Sequence, residues 1–410
     1  MVNYRVFRSD FWRSLSLVEF GFLWSVFFAA WGPVPRYFGW LLAIIGLCFK
    51  RYRGEGWSGK LHPFVRTALL FILLWGLPAT IFRKPNLFHF LKGYSLVLEF
   101  AFSIWLAAKV YSEESLRRFW AVFCASALLA VIYTLAAFLW SNHFAGPFSN
   151  INTLGGYGVI LLPFSLSWAF EEGGILSWLL SVGVLFAIFI SSSLAAWLTA
   201  LFCLLLLAAI GGKRFLRGGV LVLLLFSLLF AGMWIGLGIV NPQLEASLAD
   251  HTHREFNQFL SFNDPARFTT NRSFIWQGTV NLVRKYPLSG WGWGSCNDPF
   301  VGINKSWWDP KRTGLDIQEV GDAHNMYLNL SIYGGIPTAV AVVALFLFSV
   351  YRALIFSKEK GGRHWFWIAV SVSILSHLFL GLAGDVFSDR FKFACIFWYF
   401  LGFAGRVEWE

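Results

Sequence analysis

The chain is short of charge. Only 13% of its 410 residues are Asp, Glu, Lys or Arg, against about a quarter in soluble domains, which leaves too few polar groups to wet a complete surface. Cysteine is sparse as well. The five (Cys48, Cys124, Cys203, Cys296, Cys395) show no paired spacing and only Cys296 falls in a polar stretch, an argument against a disulfide framework or a metal knuckle. His251-Thr252-His253 has no third ligand at suitable spacing, so a zinc site is set aside. A Walker loop, a G-x-S-x-G elbow and a Rossmann fingerprint are all missing. The glycines at 290, 292 and 294 lack the strand and helix context that a nucleotide loop requires. No internal repeat is evident.

What the chain has instead is apolar bulk: 57% hydrophobic residues, with 45 Phe and 22 Trp, a composition suited to membrane interfaces. A helix needs about 20 apolar residues to cross the hydrocarbon core. Spans are expected near 16–33, 36–50, 63–82, 86–109, 116–140, 151–170, 175–190, 193–211, 218–240, 323–354, 364–383 and 388–406. The run from Ile175 to Ile210 is too long for one helix. Ser191-Ser192-Ser193 is the natural hairpin, because its hydroxyls can satisfy freed backbone groups. The fold class expected is all-α, a polytopic membrane protein of about twelve transmembrane helices. It divides into helices 1–9 over 1–240, a long loop or lid over 241–322, and helices 10–12 over 323–410.

The net charge of +11 is a topology signal rather than a sign of nucleic-acid binding. Basic residues gather in alternate connections, at Arg5/Arg8/Arg13, Lys50/Arg51/Arg53/Lys60, Lys109/Arg117/Arg118, Lys213/Arg214/Arg217 and Lys358/Lys360/Arg363, as the positive-inside rule requires of cytoplasmic loops. Both termini are then cytoplasmic, the first span is a retained signal-anchor, and the long loop lies outside, in the periplasm of a Gram-negative cell.

That loop is the place for aqueous chemistry beside a membrane, and short helices lying on the outer face are expected in it. Arg272 opens a helical stretch beside Thr270 and Asn271, which could cap it. A guanidinium at a helix N-terminus suits a diphosphate; the plain alternative is a solvated arginine. His324 stands where the loop enters the tenth span, two residues after Asp322, and can take a proton from an acceptor hydroxyl near neutral pH. Its alternative is a helix-capping role. Asn150 and Asn152 lie in an outer turn, able to cap a helix and to bond sugar hydroxyls. Lys92 is a cation inside the fourth span, by default a functional hypothesis, with snorkelling to the interface as its rival. Asp385, Asp389 and Arg390 form a further outer cluster, most simply a local ion pair. Gly334-Gly335-Ile336-Pro337 predicts a kink or close packing.

In this order the segments resemble the O-antigen ligase and polymerase superfamily of integral membrane glycosyltransferases. Gly146-Pro147-Phe148-Ser149-Asn150-Ile151-Asn152 is similar to its G-x-F-x-N-x-N turn. Arg272 to Trp276, followed by Pro287-Leu288-Ser289-Gly290-Trp291-Gly292, is similar to its R-x-x-x-W…P-L-x-G-x-G block. His324-Asn325-Met326-Tyr327-Leu328 with Gly334 is similar to its H-N-x-Y-L…G signature. The resemblance implies a GT-C-like, metal-independent and inverting transferase without cofactors. Its partners would be an undecaprenyl-diphosphate-linked glycan donor, a lipid A-core or other glycan acceptor, and membrane lipids. Arg272 would neutralise the leaving diphosphate and His324 would activate or orient the acceptor, with Asn150, Asn152, Asn325 and Tyr327 on the substrate side. One departure matters. Where many members carry an arginine in a Ser-Arg-Gly-Ala-Trp-like motif, this chain reads Ser193-Leu194-Ala195-Ala196-Trp197. Lys92, Arg267 or Arg390 would have to supply that charge, with Lys92 the first choice. Competing readings are a polymerase of the same superfamily and, from another class, a lipid-linked glycan transporter.

Overall fold

In lipid, a backbone must satisfy its own polar groups, so apolar runs of this length become helices. The computed structural model describes residues 12, 14–55, 59–83, 87–141, 143–148, 150–294, 296–320, 322–359, 364–384, 387 and 393–407. Among them the first membrane set is α1 (Leu17–Phe27), α2 (Pro33–Tyr52), α3 (Pro63–Trp75), α4 (Leu77–Arg83), α5 (Leu87–Val110), α6 (Glu113–Ser141), α7 (Ile151–Glu172), α8 (Ile175–Ile190) and α9 (Leu194–Val240). The polar excursion folds as α10 (Pro242–Leu260), α11 (Pro265–Phe268), α12 (Arg272–Lys285), α13 (Asn297–Asn304) and α14 (Pro310–Thr313). α15 (Met326–Lys358), α16 (His364–Leu380) and α17 (Ala394–Ala404) complete the chain. No strand forms among the described residues; Leu61 and Arg406 make an isolated bridge.

Among the described residues, seven stretches are long and apolar enough to cross a membrane: Pro63–Arg83, Phe90–Val110, Glu113–Ser141, Ile151–Glu171, Leu194–Lys213, Gly218–Val240 and Met326–Lys358. Four shorter apolar helices, α1, α8, α16 and α17, accompany them. The protein is an all-α, multi-pass membrane protein. Two boundaries differ from the periodic reading. The first expected span stops at Phe27 and turns over 28–32 into α2. The eighth and ninth join as one 47-residue element, interrupted only at Gly212 (φ 65°, ψ −158°). The serine triplet does form the hairpin between α8 and α9: Ser191 Oγ donates to the Ile188 carbonyl at 2.6 Å.

Burial explains the short helices. Every residue of α17 is buried, and so is nearly all of α16. These two pack among α5, α7 and α15, so an all-round apolar surface is satisfied by protein rather than lipid. Close approach relies on small residues. A Cβ on Gly21 of α1 would lie 2.5 Å from backbone atoms of Ala43 and Gly39 in α2, which is how the first two helices pack with no side chain between them. Two ion pairs are sealed inside the bundle. Arg118, which the charge pattern groups with surface cations, is 2% exposed and bonded to Glu19 at 2.8 Å. Arg36 pairs with Glu99 at 3.3 Å.

The Gly334-Gly335-Ile336-Pro337 step breaks α15, with Gly335 at φ 78° and ψ 173°. Pro337 has no N–H and leaves the Tyr333 carbonyl without its helical donor. The Pro287–Gly294 turn supplies replacements. Trp291 N–H donates to Ile332 O at 2.6 Å, Gly292 N–H to Tyr333 O at 3.0 Å, and Ile336 N–H to Pro287 O at 2.8 Å. Trp293, wholly buried, closes the seam against Gly76 and Gly93. The glycine-tryptophan run is therefore a plug for a broken helix.

Candidate active site

α10 carries an inward stripe, Leu244, Leu248, His251, Glu255 and Gln258, at spacings of four and three. Leu244 and Leu248 are buried with Phe138, Phe144, Ile190 and Leu237, which seats the helix on the ends of α6, α8 and α9. Gln258 Nε2 then donates to Phe268 O at 2.6 Å and fixes α11. The chain reaches α12 through Thr270 and Asn271, both at positive φ (48° and 65°). Neither residue caps α12, contrary to the sequence expectation. The left-handed backbone turns the Asn271 side chain away from the helix amides, and Thr269 Oγ1 accepts from Ser273 N–H at 3.0 Å in its place.

These elements enclose a cavity of about 260 Å³. Asn152 at the start of α7, Ser193 and Leu194 at the start of α9, Glu255 on α10, and Arg272 and Trp276 on α12 all line it. Asn152 Oδ1 accepts from Ser193 Oγ at 2.8 Å, docking the asparagine turn onto the serine hairpin. Asn150 caps α7 by accepting from Asn152 N–H at 2.7 Å. The Arg272 guanidinium is half-buried. Burial pulls it below its ordinary pKa, Asp322 and Glu255 oppose that pull, and it remains a cation.

A short turn joins the arginine to the histidine segment. Three successive carbonyls after α16 are taken up: Gly381 O by Met326 N–H at 2.8 Å, Leu382 O by Asn325 Nδ2 at 2.9 Å, and Ala383 O by Arg272 Nη1. Tyr327 Oη donates to Leu378 O at 2.6 Å. Asn325 also caps α15, accepting from Leu328 N–H at 3.0 Å. Asn325→Ala removes both contacts and is expected to cost about 2 kcal/mol, read as a lower Tm in detergent. An unchanged Tm refutes this account of Asn325. Trp276, which lines the cavity, donates from Nε1 to Ala323 O at 3.0 Å, the carbonyl just before His324; His324 itself is not among the lining residues.

His324 is held at φ 46°, a backbone that a non-glycine residue keeps only under constraint. Asp322 provides the constraint: its Oδ1 accepts from His324 N–H at 2.7 Å and lies 3.2 Å from Nδ1. The carboxylate is 6% exposed and the imidazole 42%, so the ring is the half of the pair that a substrate can reach.

A family model described as O-Antigen ligase matches residues 179–343, the stretch from α8 through the broken helix that carries Leu194, Glu255, Arg272 and His324. Over that stretch the chain is similar to the O-antigen ligase family. No curated protein matches it. The family's arginine position, Leu194 here, does open on the Arg272 cavity. Lys92 and Arg267 are exposed and absent from the lining, and Arg390, with Asp385 and Asp389, lies outside the described residues. The ligase segment presents Glu255 at this place, its Oε2 accepting from Leu194 N–H at 2.8 Å. Residue type alone gives no sign of it. Its signal is the inward helical stripe of α10, in which an acid occupies a core-facing position.

Proposed function

We propose that this chain is a metal-independent, inverting transferase of the O-antigen ligase type. It moves a glycan from undecaprenyl diphosphate to a hydroxyl of lipid A-core, at the periplasmic face of the bacterial inner membrane with both termini in the cytoplasm. The observation that carries this reading is the cavity itself. It joins the arginine, asparagine and serine-hairpin segments of the family around one guanidinium. Arg272 neutralises the diphosphate as charge develops on it, and such a group acts most strongly in a site screened from water. Asn152 and Ser193 offer hydrogen bonds to sugar hydroxyls. His324, aligned by Asp322 and exposed at its ring, receives the acceptor.

The test uses purified protein, an undecaprenyl-diphosphate glycan and a lipid A–core acceptor, with products resolved by size. Intact glycan should appear on the core. His324→Ala should lower that yield by weakening the hold on the acceptor, with Tm unchanged. A ladder of lengthened lipid-linked glycan without core product would make the protein a polymerase. No product under any condition would overturn the transferase reading.

A further inference from the structure

Among the described residues, Glu255 is the only carboxylate that lines the Arg272 cavity. One of its oxygens is pinned by the first amide of α9, Leu194 N–H, an orphan donor of a helix N-terminus. That bond fixes the carboxylate plane inside the cavity without using its second oxygen. Resting on the transferase reading above, we propose that Glu255 is the proton acceptor of the transfer reaction, with its Oε1 facing the acceptor hydroxyl across the cavity from Arg272. His324 is not among the residues that line the cavity, and its part is to hold the acceptor molecule.

The step balances. The acceptor oxygen forms a bond to the anomeric carbon on the face opposite the diphosphate. The anomeric C–O bond breaks with its electron pair passing to the departing diphosphate oxygen beside Arg272. The hydroxyl proton passes to Glu255, which later returns it to water. Among the described residues, His251 lies one turn before the carboxylate on α10. Arg272 faces it from α12 and Arg254 shares its helix. Asp264 and Arg267, at α11, are exposed. The lining residues from α7 and α9 (Ile151, Asn152, Leu194, Ala195, Leu198) carry no titratable side chain. Burial raises the carboxyl above its ordinary value, and the Leu194 amide, Arg272 and Arg254 only partly counter this. A raised pKa makes the carboxylate a stronger base.

The decisive variant is Glu255→Gln, since a glutamine oxygen still accepts the Leu194 amide and the architecture is retained. In the full-length protein with the donor and acceptor named above, kcat should fall about 10²- to 10⁴-fold. KM for the donor should stay level or decrease, because a negative charge has been removed from beside the diphosphate. Wild-type kcat should rise with pH as the carboxyl ionises, and this acid-side limb should be absent in Glu255→Gln. Glu255→Asp, which keeps the charge, should retain the limb at reduced rate; it decides the matter by its pH profile if the glutamine variant proves unstable. A Glu255→Gln protein within about threefold of wild-type kcat with its acid limb intact overturns the proposal. If Arg272→Ala is inactive in the same assay, the transferase reading survives that result. Wild-type protein that transfers nothing overturns both.

Discussion

Arg272→Ala is expected to lower the rate of glycan transfer by about 10³-fold while the protein stays folded. The size follows from how little else in the cavity can serve. Among the described residues Arg272 is the only cation lining it, and Leu194 stands where the resembled motif offers a second guanidinium. Removing Arg272 also leaves Glu255 uncompensated, so the cavity changes from nearly neutral to anionic, and KM for an anionic donor should rise as kcat falls. Arg272→Lys keeps the charge but loses the planar fork; it should recover part of the rate and less of the donor affinity. The fold should hold because the turn at 381–383 keeps its bonds to Met326 N–H and Asn325 when Ala383 O loses its partner. Turnover and Tm measured on the same preparation check this. An alanine variant with more than a tenth of wild-type turnover refutes the role.

Gly335→Ala should destabilise the protein more than any substitution in the cavity. The residue sits at φ 78° and ψ 173°, a region that costs an L-residue about 1–3 kcal/mol. An added Cβ would also lie 2.1 Å from Leu288 O and 2.4 Å from Leu288 C, a clash with backbone that no rotamer change relieves. Relief requires moving the Pro287–Gly294 turn, and with it the hydrogen bonds to Ile332 O and Tyr333 O. A total of about 4 kcal/mol or more is expected. Thermal unfolding in detergent reads the effect, with Gly236→Ala as the control. Gly236 has nothing within 4 Å and an ordinary helical backbone, so alanine there should be neutral or slightly stabilising. Equal Tm values for the two variants would refute the plug assigned to the glycine-tryptophan turn.

Much of this architecture is legible from local pattern. The span positions follow from apolar length, since lipid leaves a backbone few alternatives to a helix. The serine hairpin follows from a run too long for one crossing. The Gly-Gly-x-Pro break follows from proline's missing donor. The Arg272 and His324 segments stand out because a cation and a titratable ring at the rim of apolar spans need a reason to be there.

Other features escape such a reading because their cause lies far away in sequence. Arg118 reads as one more basic loop residue, yet Glu19, 99 positions earlier, seals it inside the bundle. Lys92 reads as a buried cation, yet its side chain is exposed, because exposure depends on which side of α5 the neighbours occupy. Glu255 reads as an ordinary polar residue of a loop. Its environment is made by Leu194 and Arg272, residues on two other helices.

The amino-acid sequence alone thus determines that the chain crosses a membrane as helices, where those helices break, and which polar segments are free to do chemistry. Each of these depends on interactions within a few turns of chain. Tertiary structure alone decides that Asn152, Leu194, Glu255 and Arg272 share one cavity, that the 381–383 carbonyls tie the arginine to the histidine segment, and that Trp276 bonds the carbonyl just before His324. Those outcomes depend on packing between elements dozens of residues apart, and no local spacing encodes it.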